Sequence, residues 1–417
     1  MLKRVSFLFG SGISLPAKMP SVDDITQSVL SGSGIMRHTN GRYYVDQSCC
    51  GIMAEYVERV VKFLTRLSVE IERYYNSKPY YNDTPPVNYE DLYYLALQIL
   101  DSEMGEYDNP IVQPFVDKIL PDISPLLGID ECETKWEFYK IAEEATNFIS
   151  DTVCGLLEST KPTNLDYLNC VRDASCDLKT SFLEIFTLNH DTILESYLEK
   201  QNIEYTAGFE PPENGYHYWS PKAFSDSSHK VRLFKLHGSV NWFRYKPTAA
   251  TGINDPVGIA DDGRHWLIKS PSGELRRRYA RNRGRPVLLV GTFNKMLEYT
   301  NRIFADLFFE FRRALSQTDL LIVSGYGFGD QGINAQVVEW MNSSKKKKII
   351  VIHQDPDGLK WRSRGNVLTR WDDWVRDRQL ATIEKWIEDT SWEDIQSRMA
   401  ELRQYCARRT SRQRDSR

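Results

Sequence analysis

The chain opens with "RVSFLFGSGIS", an apolar run that stops at Gly10 and Gly12, which predicts a buried strand entering a glycine turn. Past Pro20, "SVDDITQSVLSG" predicts a helix, with Ser21 as cap, Asp24 at the capping-box position and Gly32 as stop. Strand, glycine turn and helix in this order open a nucleotide-binding unit. From about residue 50 to 180 the period changes. In "MAEYVERVVKFLTRLSVEIERYY", "NYEDLYYLALQILD" and "KWEFYKIAEEATNFISDTVCGLLES" apolar residues recur three and four apart, as on amphipathic helices. The proline- and asparagine-rich "YNSKPYYNDTPPVN" links two of them as a loop. Strand-like runs resume at residue 182: "FLEIFTLNHD", "VRLFKLHGSV", "PVLLVGT", "DLLIVSGYGFGD" and "KKIIVIHQD". Short apolar runs ending in polar or glycine turns predict a buried parallel sheet, hence an α/β fold. The excursion before "PVLLVGT" reads as hairpin-bearing with a basic end. "LATIEKWIEDTSWEDIQSRMAELRQYCARR" reads as two helices, the second capped by Thr390 or Ser391, before a basic, polar tail.

Composition narrows the class. With 417 residues, 41% hydrophobic and 26% charged, the chain can build a large core, and a net charge of -4 points to no nucleic-acid partner. The N-terminal apolar run is too short for a signal peptide and no later stretch is long enough to span a bilayer, so a soluble, cytoplasmic protein is expected. Seven cysteines, with no CxxC pair among them, predict reduced thiols and no zinc site.

The candidate chemistry lies at the predicted strand ends. Gly10, Ser11 and Gly12 would let backbone N–H groups approach phosphate oxygens, although a plain tight turn has equal standing. Asn189 can orient a water or a ribose hydroxyl, with Asp191 as the helix cap and His190 structural. His237 beside Gly238 is either a core histidine or a base, and its ordinary pKa near ~6.5 suits proton transfer. "SGYGFGDQGIN" is a glycine-rich turn in which Asp330 could cap the next helix, and His353 stands at a further strand end.

Together and in order, these motifs resemble the sirtuin superfamily. "GSGIS" is similar to the GAGxS phosphate loop, "TLNHD" to the TxNxD segment, and "KLHGS" to the catalytic LHG(S/N) segment; "SGYGFGDQGIN" lies where sirtuins carry the GTS turn. The resemblance implies a Rossmann-like parallel sheet of sirtuin type, built from residues 1–35 and 180–375. A helical insertion (36–179) and C-terminal helices with a basic tail (376–417) lie outside it. The zinc-module CxxC pairs are missing, and "KMPSVDD" replaces GIPDFR, keeping Pro20 without the arginine. These departures, and the helix "NYEDLYYLALQIL", resemble the sirtuin-like NAD glycohydrolases of bacterial anti-phage systems.

The resemblance implies NAD as substrate, no metal, and catalytic Asn189, His237 and Asp191. It implies NAD contacts at Gly10, Ser11, Gly12, Ser14, Gly238, Gly325, Tyr326, Phe328 and His353. The short C-terminal extension implies a stand-alone effector that oligomerises and acts with a HerA-type hexameric ATPase. A sirtuin-type protein deacylase and a non-catalytic nucleotide sensor are the alternatives. For the arginines at 276–285 a solvated charged face is preferred over contact with nucleic acid or an acidic partner.

Overall fold

Parallel sheets covered by helices on both faces are built from strands that are apolar almost throughout. In the computed structural model seven of them form such a sheet: β1 (Lys3–Phe9), β2 (Thr180–Thr187), β3 (Tyr205–Thr206), β4 (Val231–Lys235), β5 (Leu320–Ser324), β6 (Lys348–Ile352) and β7 (Leu380–Ile383). Their spatial order is β7-β6-β5-β1-β2-β4-β3, and every neighbouring pair is parallel. The structure describes residues 3–45, 54–78, 85–105, 109–130, 135–211, 216–225, 228–244, 256–260, 267–269, 275–277, 284–292 and 294–402.

The register aligns the carboxyl ends. Ile352 lies beside Ser324, Ser324 beside Phe9, Phe9 beside Thr187, and Thr187 beside Lys235. The segments that leave this row carry the motifs noted in the sequence. β1 has β2 on one side and β5 on the other, so the strand order reverses there, the kind of switch point at which ligands sit in open α/β sheets.

The chain divides into two compact units: residues 1–19, 161–278 and 296–417 form the α/β unit, and 20–160 with 279–295 form a helical one. The helical unit contains α1 (Val22–Ser31), α2 (Ala54–Asn76), α3 (Tyr89–Met104), α4 (Val112–Ile123) and α5 (Phe138–Ser159). Ser21 and Asp24 form the capping box and Gly32 ends α1 with a left-handed φ of 63°, as its sequence predicts. Ile25 and Val29 of α1 join a core with Phe63, Leu92, Ile141 and Phe148, which is why α1 belongs to this unit rather than to the sheet. The run 286–292, read as a strand of the sheet, also lies here, with Val290 in the same core.

Two carboxylates two turns apart on α5 hold the Ile35–Arg37/Tyr43–Val45 hairpin. Glu144 accepts two hydrogen bonds from Arg37 (2.9 and 2.8 Å) and one from the Tyr43 hydroxyl at 2.6 Å. Asp151 accepts from Arg42, from the Tyr43 amide, and from Arg285 at 2.9 and 2.7 Å. Arg285 is therefore an internal tether, not part of the solvated charged face expected for 276–285. Arg276 and Arg277 lie on a two-stranded antiparallel hairpin, and Arg278, Arg281 and Arg283 fall outside the described residues.

Along the α/β unit come α6 (Asn169–Cys176), α7 (Ile193–Lys200), α8 (Asn294–Glu298, which spans the boundary between the units in the chain), α9 (Arg302–Gln317), α10 (Gln331–Ser343), α11 (Pro356–Arg362) and α12 (Asn366–Arg376). The first of the two C-terminal helices expected from sequence is instead edge strand β7, because "LATI" is too short for its period to separate strand from helix. Residues 392–402 are helical, and Ser391 caps them through reciprocal bonds with Asp394; the basic tail from Arg408 lies outside the described residues. Among the described residues no helix is long and apolar enough to cross a membrane.

Candidate functional site at the carboxyl rim of the sheet

β1 and β5 end side by side, and their turns touch backbone to backbone. The Gly10 amide donates to the Ser324 carbonyl (3.2 Å) and the Gly12 amide to the Gly325 carbonyl (3.0 Å). A Cβ on Gly10 would lie 2.5 Å from the Gly325 oxygen, and one on Gly12 would lie 2.7 Å from the Gly325 Cα. A Cβ on Gly325, whose φ is +65°, would overlap the Ile13 nitrogen. The glycines thus serve the contact between two turns, and the Gly10 and Gly12 amides, expected to face a diphosphate, are already engaged. The segment after Gly10 is a 3-10 turn, Ser11–Ser14, and α1 begins eight residues after it in the chain, so the glycine turn does not run directly into an α-helix. Ser11 is exposed, whereas Ile13 and Ser14 are buried.

At the end of β2 three side chains form a chain of hydrogen bonds. The Asn189 amide nitrogen donates to Ser14 Oγ (2.9 Å), and Ser14 Oγ donates to Asp191 Oδ2 (2.7 Å). Asp191 Oδ1 accepts from the amide of Ile193 (3.1 Å), the first residue of α7, but the N-cap position expected for Asp191 is instead occupied by Thr192, whose side chain makes no cap bond. Ser14, expected among the NAD contacts, is buried, and its one proton goes to Asp191; its service here is to fix Asn189. Asn189 is itself 7% exposed, and its Oδ1 is buried without a hydrogen-bond partner. A buried acceptor left unpaired costs roughly 1–3 kcal/mol. It fits a ligand hydroxyl or a water at this rim.

His237 leaves β4 in a turn that needs Gly238 at φ 78°. The residue is 3% exposed. Its Nε2 lies 2.7 Å from the Tyr299 hydroxyl and 3.2 Å from Asp330 Oδ2, and Tyr299 donates to that same Oδ2 at 2.8 Å. Asp330 Oδ1 caps α10 by accepting from the Ile333 amide (3.0 Å), as the sequence suggests. The other carboxylate oxygen serves the histidine, and no local pattern signalled that. Tyr299 was missed as well. It stacks on Phe308 with ring centroids 4.6 Å apart, and Gly332 leaves room for its ring. His190, read as structural, has its ring 6.3 Å from that of His237, and its carbonyl accepts from the Val240 amide.

Sequence reading also missed Lys235 and Glu195. Buried Lys235 Nζ donates to the Asp191 carbonyl and to Glu195 Oε1 at 2.6 Å. Burial raises the Glu195 pKa, and Lys235 opposes that shift. The pair braces the loop that carries Asn189 and Asp191.

The adenosine-side residues are more deeply placed than expected. Tyr326 and Phe328 are buried: the Tyr326 hydroxyl donates to Asn334 (2.8 Å), and Phe328 packs against Trp371. His353 is half-buried at the end of β6, and its Nδ1 accepts from the Asp355 amide (2.9 Å). Burial lowers the His353 pKa. A cleft of about 700 Å³ lined by Glu195, Tyr205, His217, Asn241, Trp242 and Ile259, among other residues, touches none of the predicted site residues. Among the described residues no group of three or more His, Cys, Asp or Glu side chains is placed to hold a metal ion.

No curated protein matches the chain. Among solved structures it is similar to a Sir2 homologue–NAD complex at 14% identity, with 90% of this chain and 88% of that chain covered and a TM-score of 0.31. It is also similar to two Sir2 homologue mutants in complex with ADP-ribose, at 14% and 13% identity, 90% of this chain and 91% of each of theirs, and TM-scores of 0.32 and 0.31. Residues 183–374, which contain the Asn189, His237 and Asp330 segments, match the family model described as SIR2-like domain.

Proposed function

We propose that the chain is an NAD glycohydrolase that cleaves NAD to nicotinamide and ADP-ribose. The observation that carries this reading is the pairing, on one carboxyl rim, of Asn189, with a buried and unpartnered Oδ1, and His237, whose Nε2 is held by Tyr299 and Asp330. The SIR2-like match over residues 183–374 fits NAD-related chemistry.

In NAD the nicotinamide is a cationic leaving group, and departure leaves an oxocarbenium-like ribose. The protein therefore needs position more than chemical force. Water attacks C1′ as the C1′–N bond breaks, the bond's electron pair neutralises the nicotinamide ring, and the water's proton passes to the His237 imidazole. Asn189 Oδ1 accepts from that water or from a ribose hydroxyl, while Ser14 and Asp191 hold its amide. Ser11, Gly325 and His353 border the remainder of the dinucleotide.

On the motif resemblance to sirtuin-like anti-phage proteins we place this activity in anti-phage defence, as the effector partnered by a HerA-type ATPase in an oligomer. The test is nicotinamide release from NAD by the purified chain, alone and after mixing with such an ATPase. Release that requires the ATPase supports both parts. Release by the chain alone supports the hydrolase and removes the need for the partner. Silence under both conditions removes the hydrolase.

A further inference from the structure

We propose that Tyr299 and Asp330 are positioning residues that fix the protonation pattern of His237, so that Nδ1 is the nitrogen that takes the proton. The tautomer follows from counting protons along the hydrogen bonds. Asp330 Oδ1 accepts from the Ile333 amide at 3.0 Å, at the N-terminus of a thirteen-residue helix, where a charged carboxylate is favoured. Its Oδ2 is acceptor only, so the single Tyr299 proton points to it across 2.8 Å. The Tyr299 oxygen, 2.7 Å from His237 Nε2, must then accept from that nitrogen. A neutral His237 is therefore protonated on Nε2, with its lone pair on Nδ1. When Nδ1 takes a proton, the carboxylate 3.2 Å from Nε2 faces the new positive charge.

The tyrosine cannot easily turn away. Its ring lies between Phe308 at 4.6 Å and the Cβ-free face of Gly332. The arrangement resembles in logic the carboxylate of a serine-protease triad, which sets the tautomer of its histidine without taking the proton. Here a tyrosine stands between the two.

Asp330→Asn is the discriminating variant, because asparagine caps a helix about as well as aspartate. The Ile333 amide keeps the new side-chain oxygen on the cap, so its NH₂ must face Tyr299. The tyrosine oxygen then accepts, its proton turns to Nε2, and the neutral ring is forced into the Nδ1–H form. The experiment is side-chain ¹⁵N NMR of the full chain at about pH 9, where histidine is ordinarily neutral. His237 is identified among the seven histidines by its loss in His237→Gln. The expected result is Nε2–H in the wild type and Nδ1–H in Asp330→Asn, with unchanged unfolding temperature. Wild-type Nδ1–H, or the same tautomer in both proteins, overturns the proposal.

The catalytic consequence rests on the hydrolase reading, but the tautomer does not. In an active protein Asp330→Asn should lower kcat about 10³–10⁴-fold with KM for NAD within about threefold, by analogy with wrong-tautomer triads. An unchanged kcat overturns the positioning role. Absence of turnover in the wild type, both alone and with the ATPase, would end the hydrolase reading while the spectra still decide the tautomer.

Discussion

Gly10, Gly12 and Gly325 were recognisable in the sequence as a requirement for small residues, but the reason for it was not. A glycine turn looks the same on paper whether it admits a phosphate or another turn. Here two of the amides bond the neighbouring turn, and the absent Cβ atoms permit that contact. Gly325→Ala should destabilise the protein by roughly 2–5 kcal/mol, from a left-handed φ and a backbone overlap together. Gly327→Ala, exposed and with nothing within 4 Å of its added Cβ, should change stability by less than about 0.5 kcal/mol. Urea unfolding of the two variants separates them, and equal losses would contradict the packing role. Asn189 and His237 stood out because each follows a strand end. Tyr299 did not, because it is 62 residues from His237 and follows a short helix with no motif of its own. A contact of that kind is made by the fold, and no local spacing encodes it.

Elements with strong punctuation were legible. The α1 helix carries its cap, its capping box and its glycine stop within twelve residues, and each does locally what its chemistry predicts. Elements defined only by an apolar run were not: "LATI" became an edge strand, and 286–292 joined the helical unit. Such short runs fit either partner until the rest of the core is known. The buried arginine pairs of the hairpin were equally hidden, because Arg285 sat in a stretch that reads as a solvated basic face. Asp151 carries no exposed side-chain surface and faces both Arg42 and Arg285. Asp151→Ala leaves two buried guanidinium groups without their carboxylate and should cost about 3–5 kcal/mol. Glu58→Ala, which removes an exposed partner of Lys62, should leave the unfolding midpoint essentially unchanged. Chemical unfolding monitored by far-ultraviolet circular dichroism checks both, and a small loss in Asp151→Ala would show that the tether is dispensable.

At the scale of the whole molecule, the sheet carries one charged row across its centre. Glu184 of β2 is fully buried between Ser6 of β1 and Arg232 of β4, with Arg4 at 3.4 Å. Burial pushes the Glu184 carboxyl up to about 7, against the pull of Arg4 and Arg232. A folded-state pKa above the unfolded value of 4.5 means that the native state holds the extra proton between the two. The stability this group contributes is therefore present below 4.5 and is lost as pH rises through 7, on the order of 3 kcal/mol in total. Glu184→Gln should flatten the fall in unfolding free energy between about pH 5 and about pH 8. An identical pH slope in both proteins would show that Glu184 is not its source. The α/β class and the parallel sheet were readable from the short apolar runs, and the candidate residues lie at strand ends, where ligands bind in such folds. The chemistry itself is tested most directly by incubating the full chain with NAD, alone and with a HerA-type ATPase, and following nicotinamide in the wild type, Asn189→Ala and His237→Ala. Stoichiometric nicotinamide and ADP-ribose from the wild type, with at least ~10²-fold less from either variant at unchanged fold, is the predicted result. Wild-type rates in both variants would contradict the account.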